Sequence, residues 1–335
     1  MKDIRYQYIP EQIIRTWENA EGKLWSYNTD SGEVRQASRG DVFIENLTVG
    51  KRDTIKDFFH NDEYSNFFEK LQRGDDSLSG DDKYLVKELM ALQFYCNMYS
   101  MGRFFELFSQ KVKSINEAVE AIQKKRTADD ILLQHFKAMF YLTYLLDLEA
   151  VLVSAPEGSS FLLSDAPLFL CDPAFGPEEL LTQRPYTANG TILFMPVSPK
   201  YAVAAYDSFV YKPLKTEGKI VLSKDDVDEF NSCSVSFSDT VVFDSSLTDV
   251  EYIKTLSPKK RTASLSYSPS VFGIRARYVD VQEIAGRAFC GMLEISDSKY
   301  ITGNGQLMIS GEEQIRRHEN ALEMLEDMRS SGVPF

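Results

Sequence analysis

The residues able to do chemistry are few, and one short run stands out. Ser164-Asp165 separates the apolar segments Phe161-Leu162-Leu163 and Leu168-Phe169-Leu170, with Pro167 closing the gap. A carboxylate between two strands can act as a general acid or base, or as an oxygen ligand for a divalent cation. Mg2+ needs only one or two protein carboxylates, and Asp172, Glu178 and Glu179 lie near enough in sequence to join Asp165. The same residues also spell a turn, because Asp accepts from backbone amides two residues on and proline fixes φ. The turn is the plainer reading, since isolated aspartates are structural more often than catalytic.

Other chemistry is thinly supplied. His60, His135 and His318 are far apart, and Cys96, Cys171, Cys233 and Cys290 show no C-x-x-C spacing. A His-based hydrolase, a zinc site or a disulfide framework would have to be assembled from distant single residues. There is no Walker loop, G-x-G-x-x-G, H-E-x-x-H or G-x-S-x-G. The reading is therefore of no cofactor, with Mg2+ on Asp165 as the alternative.

Charge narrows the partners. Across 335 residues, 37 Lys+Arg stand against 50 Asp+Glu, a formal −13. That field opposes nucleic acid unless basic residues gather locally. The two gatherings, Lys124-Lys125-Arg126 and Lys259-Lys260-Arg261, read as a helix end and a solvated loop. The N-terminus has no apolar signal core, and the most apolar stretch, 138–146, is far short of the ~20 residues of a membrane helix. A soluble, cytoplasmic protein is expected, with a protein partner or a second copy of itself as the binding partner.

The elements that must position Asp165 follow from hydrophobic periodicity. Residues 23–27 read as a strand, 28–32 as a turn and 33–35 as the returning strand, with another short strand at 42–44. Apolar residues then recur at three and four over 54–72 and 81–112, with Leu85, Leu89, Leu92, Cys96 and Tyr99 on one stripe. Capping signals at Ser114 and Thr127 extend the helical block to about 148. From Ala150 short apolar strands take over, at 150–153, 161–163, 167–170, 191–195, 201–205 and 240–242. Asn189-Gly190 and Gly303-Asn304-Gly305 supply hairpin turns. Ser223 opens a helix through about Asn231, and 255–285 reads as loop and irregular strand. Ser310 caps a terminal helix with Ile315, Leu322, Leu325 and Met328 inward. Helices followed by strands mean an α+β fold: an N-terminal β-hairpin, a central helical block and a C-terminal mixed or antiparallel sheet with a terminal helix. The expected division is 1–50, 51–148 and 149–335, or one intertwined domain.

Several stretches, in order, resemble the bacterial family catalogued as domain of unknown function 4238. Its opening resembles His-His-Tyr-x-Pro followed by Arg and an aromatic residue; here Tyr6-Gln7-Tyr8-Ile9-Pro10 is followed by Arg15 and Trp17. Its hairpin corresponds to 24–34, its helical Leu-Gln to Leu92-Gln93, and its strand–Ser-Asp-x-Pro–strand to Ser164, Asp165 and Pro167. A later Pro-x-Ser-Pro is similar to Pro196-Val197-Ser198-Pro199, and a helix ending in Asn to Val227–Asn231. The likeness spans about 5–245. This chain departs from it at the His pair, which is Tyr6-Gln7, and where Cys96 replaces an Arg.

What the resemblance implies is a bacterial intracellular protein and, by analogy, a part in phage defence or a toxin-like effector role. Two functions are expected on these grounds. One is a binding, regulatory or effector component of such a conflict system, with Gln93, Ser198 and Asn231 as binding residues. The other is a metal-assisted hydrolase, for example a nuclease, with Asp165 as ligand and Ser164, Tyr8 or Arg15 nearby.

Overall fold

A computed structural model describes residues 3–48, 62–72, 75, 77–97, 130, 133–135, 138–139, 142–171, 190–214, 219–236, 238–256, 292–300 and 311–330. The signals read at Ser114, Thr127, Gly303 and Ser310, both basic gatherings, His60, and Asp172, Glu178 and Glu179 lie outside these residues.

The N-terminal hairpin forms as its turn chemistry dictates. Strand β2 (Leu24–Asn28) pairs antiparallel with β3 (Val34–Ala37). At the turn, Asn28 Oδ1 accepts from the amides of Asp30 and Ser31, and Gly32 takes a φ of +70°. Two further strands frame it: β1 (Asp3–Gln7), not read from the polar opening sequence, pairs with β4 (Ile44–Thr48).

Helix α1 (Glu11–Arg15) follows β1, and α2 (Asp62–Gln72) precedes α3 (Gly80–Cys96). Ser79 and Asp82 close a reciprocal capping box at the start of α3. The apolar stripe understates how deeply this helix is set. Val86, Met90, Ala91 and Phe94 are buried as well as Leu85, Leu89 and Leu92. Nor does α3 run on to 112: Asn97 is already extended, and its side chain turns away to bond Asp165. The helix reaching toward 148 likewise gives way to turns from Thr143.

From Glu149 the chain is a sheet protein. A five-stranded mixed sheet has the order β11-β5-β9-β8-β7, comprising β5 (Glu149–Ser154), β7 (Phe169–Cys171), β8 (Ile192–Pro196), β9 (Tyr201–Tyr206) and β11 (Ile220–Val221). Its pairs are antiparallel except β11 with β5. A four-stranded sheet, order β3-β2-β12-β6, joins the hairpin to β6 (Leu163–Ser164) and β12 (Thr240–Phe243). Strand β10 (Tyr211–Pro213) pairs with β13 (Leu293–Ile295). Helix α4 (Lys224–Ser236) has the Ser223–Asp226 capping box and runs past Asn231 for another turn, since Asn231 turns inward and bonds within the core instead of ending the helix. Helices α5 (Val250–Leu256) and α6 (Gly311–Ser330) complete the fold. On α6, Leu322 is exposed, not inward as the spacing suggested, while Arg317 and Ala321 are buried; the side chains of Ile315, Leu325 and Met328 lie outside those described.

The α+β class is therefore observed. The main apolar core packs α1, α2 and α3 against β5, β8 and β9. Behind the five-stranded sheet, Phe161, Phe169, Phe194 and Phe230 form a second core, with Phe194 and Phe230 stacked at 3.6 Å. No helix among the described residues is long and apolar enough to cross a membrane.

Candidate functional site

The segment Ser160–Asp165 crosses the interior as mostly irregular chain, so its backbone polar groups need partners that no full ladder provides. Side chains from across the sequence supply them. Asn231, on α4, accepts from the Leu162 amide at 2.9 Å and donates to the Ser160 carbonyl at 2.7 Å. Trp17, fully buried, donates its indole N–H to the Phe161 carbonyl at 3.1 Å. The Phe161 amide donates to the Pro199 carbonyl at 2.8 Å. Strand β12 pairs with Leu163 and Ser164.

Asp165 ends this segment and is 2 % exposed. Its Oδ2 accepts from the amides of Asp239 and Thr240, at 3.0 and 2.9 Å, and its own amide donates to the Thr240 carbonyl. The carboxylate so spans the start of β12. Its main-chain carbonyl accepts from Asn97 Nδ2 at 2.9 Å. Asn97 Nδ2 also donates to Gln93 Oε1, and Gln93 Nε2 donates to the Tyr8 carbonyl. A buried polar chain thus runs from Tyr8 through Gln93 and Asn97 to Asp165.

The sequence-derived candidates divide accordingly. Asp165, Gln93 and Tyr8 meet in that chain, Tyr8 through its main chain, while its ring packs against Phe43. Phe43 holds a φ of +54° and presents its carbonyl to the Tyr8 amide. Asn231 meets the same segment from the other side. It also donates to the Tyr252 hydroxyl, which donates to Asp228 at 2.6 Å. Burial, and then that bond to Asp228, push the Tyr252 phenol well above the ordinary tyrosine range. Ser164 Oγ is buried with no hydrogen-bond partner among the described residues, so no base touches it there. Ser198 lies apart, in the β8–β9 turn, accepting from the Tyr201 amide at 2.9 Å. Arg15 is exposed at the end of α1 and joins none of these contacts. Gln7, at one of the family's His positions, donates to the carbonyls of Arg39 and Val42. Among the described residues no group of three or more His, Cys, Asp or Glu could hold a metal ion.

A second charged cluster escaped the sequence reading. Asp147 and Glu149 at the head of β5 meet Lys83 and Lys87 from α3 and Arg317 from α6. Lys83 pairs with Glu149, Lys87 donates to the Leu146 carbonyl at 2.7 Å, and Arg317 pairs with Asp147. Burial holds the Lys87 ammonium below the ordinary lysine value, against the pull of Glu149 and Asp147. It also pushes the neighbouring Tyr206 phenol up to about 12, helped by Glu149. The available signal was an i, i+4 lysine pair on a helix otherwise apolar on that side.

No curated protein and no solved structure matches this chain. A family model does: that of a protein of unknown function, DUF4238, over residues 7–248. The matched span holds Trp17, Pro199 and Asn231, which bond the backbone of Ser160–Asp165, and Gln93, which reaches Asp165 through Asn97. The chain belongs to the DUF4238 family.

Proposed function

We propose that this protein acts by binding, as a regulatory or effector component of a bacterial conflict system of the phage-defence kind, and that its Ser-Asp-x-Pro corner is architecture and not a catalytic centre. One observation carries the second half. Asp165 Oδ2 is committed to two backbone amides of the neighbouring strand, and Asn231 and Trp17 bond to the backbone of the same segment. A carboxylate that satisfies buried amides is poorly placed to move a proton or to coordinate a cation. The partner expected is a protein or a second copy of this chain. The −13 charge disfavours nucleic acid.

The test compares the wild-type chain with Asp165→Asn for Mg2+- or Mn2+-dependent cleavage of RNA and DNA, with light scattering for assembly. The expected result is background cleavage in both. Cleavage by the wild type that vanishes in a folded Asp165→Asn protein would establish a metal-assisted hydrolase instead. Plaque counts on bacteria expressing the chain test the conflict-system half, and counts unchanged across a panel of phages oppose it.

A further inference from the structure

The register Glu149↔Tyr206 brings the residues just outside β5 and β9 to one end of the sheet. Asp147 lies two residues before the pair and Asp207 one residue after it. Consecutive arginines of α6 take one carboxylate each. Arg317 Nε and Nη2 bind the two oxygens of Asp147, both at 3.0 Å, and Nη2 also donates to the Tyr144 carbonyl at 2.6 Å. Arg316 Nη2 reaches both oxygens of Asp207 at 2.8 and 2.7 Å, and its guanidinium lies 3.9 Å from the centre of the Phe209 ring. Neighbouring helix positions point about 100° apart, so the two arginines straddle the sheet end.

Little else among the described side chains ties this helix down. Those buried on it are Arg317 and Ala321, while Leu322, Glu319, Glu323, Glu326 and Asp327 are exposed. The helix carries six carboxylates against three arginines, within a chain already at −13. Its own charge therefore opposes docking, and among the described side chains the two arginine contacts counter it. The helix also lies outside residues 7–248, the span matched by the family model.

We propose that α6 is a strap, fastened by Arg316 and Arg317 to Asp207 and Asp147, that undocks as a unit while the sheets stay folded. Undocking leaves Asp147 and Asp207 without their arginines, Asp207 keeping only the amides of Gly190 and Phe209, and uncovers the Arg316-facing side of the already exposed Phe209 ring. Sub-global opening of this kind is read by amide hydrogen exchange.

The experiment is exchange mass spectrometry on the full chain at neutral pH. In the wild type, α6 peptides should exchange at least about 10-fold faster than β8 and β9 peptides. Arg317→Met should accelerate α6 by a further ~100-fold, as expected for removing a buried guanidinium from the half-buried Asp147, with β8 and β9 changed by less than about threefold. Arg316→Gln, at the more exposed contact, should give a smaller acceleration. Equal rates for α6 and β9 in the wild type overturn the proposal, as does an α6 rate unmoved by Arg317→Met. Should Arg317→Met not fold, the wild-type ratio and Arg316→Gln decide the matter.

Discussion

Asn97 holds the Asp165 carbonyl with the same amide nitrogen that it offers to Gln93, so the end of α3 and the end of Ser160–Asp165 share one hydrogen-bond donor. That sharing fixes where the Ser-Asp corner sits relative to the helical layer. Buried networks of this kind are stable when every member is satisfied and costly when one is removed.

Removing the Asp165 carboxylate should cost stability first. Asp165→Ala leaves the Asp239 and Thr240 amides without their acceptor, and a loss of ~2–5 kcal/mol in urea unfolding is expected. Asp165→Asn keeps an acceptor but loses its charge, and should cost ~1–2 kcal/mol.

Asn231→Ala should be at least as damaging. It strips a partner from the Leu162 amide, the Ser160 carbonyl and the Tyr252 hydroxyl together, for a loss of ~2–5 kcal/mol. Tyr252→Phe removes the last of these contacts together with the bond to Asp228, and should cost ~1–3 kcal/mol.

Gln93→Leu and Asn97→Ala should not add. Each breaks the Tyr8-to-Asp165 chain at a different link, so the double variant should be less destabilised than the sum of the singles by ~1–2 kcal/mol. Additive losses would mean that the two amides act separately.

Alkaline pH should weaken the fold. Tyr206 and Tyr252 hold their protons above the ordinary tyrosine value of 10 when folded. Between pH 10 and about 12 the unfolded chain releases these protons first, so stability falls as pH rises through that window. Urea midpoints at pH 9 and 11 check this, and Tyr206→Phe should show the shallower decline.

Local chemistry was legible in the sequence where a few adjacent residues decide the outcome. Asn28 through Gly32 specified the hairpin turn, Ser223 with Asp226 specified a helix start, and the apolar runs specified β5, β8 and β9. The Ser-Asp-x-Pro run was legible as a turn with a carboxylate, but its partners, the amides at 239 and 240, lie over 70 residues away and no local pattern announces them. Strand β1 was missed because its register with β4 rests on cross-strand pairing and not on alternation. The buried Arg317 was hidden by its type, since arginine on an amphipathic helix ordinarily faces water.

Strand β2 lies between β3 and β12, and Thr240 pairs with Asn28 across more than two hundred residues. This has a consequence for biosynthesis. At roughly 5–20 residues per second, the hairpin leaves the ribosome about 10–40 s before β12 exists to cover its open side. During that interval it offers a strand edge with unpaired amides and carbonyls, the template on which nascent chains join one another. Closure of so distant a contact also places this sheet among slow folders. Residues 24–28 are therefore the stretch whose shielding, until translation passes 243, guards against that joining.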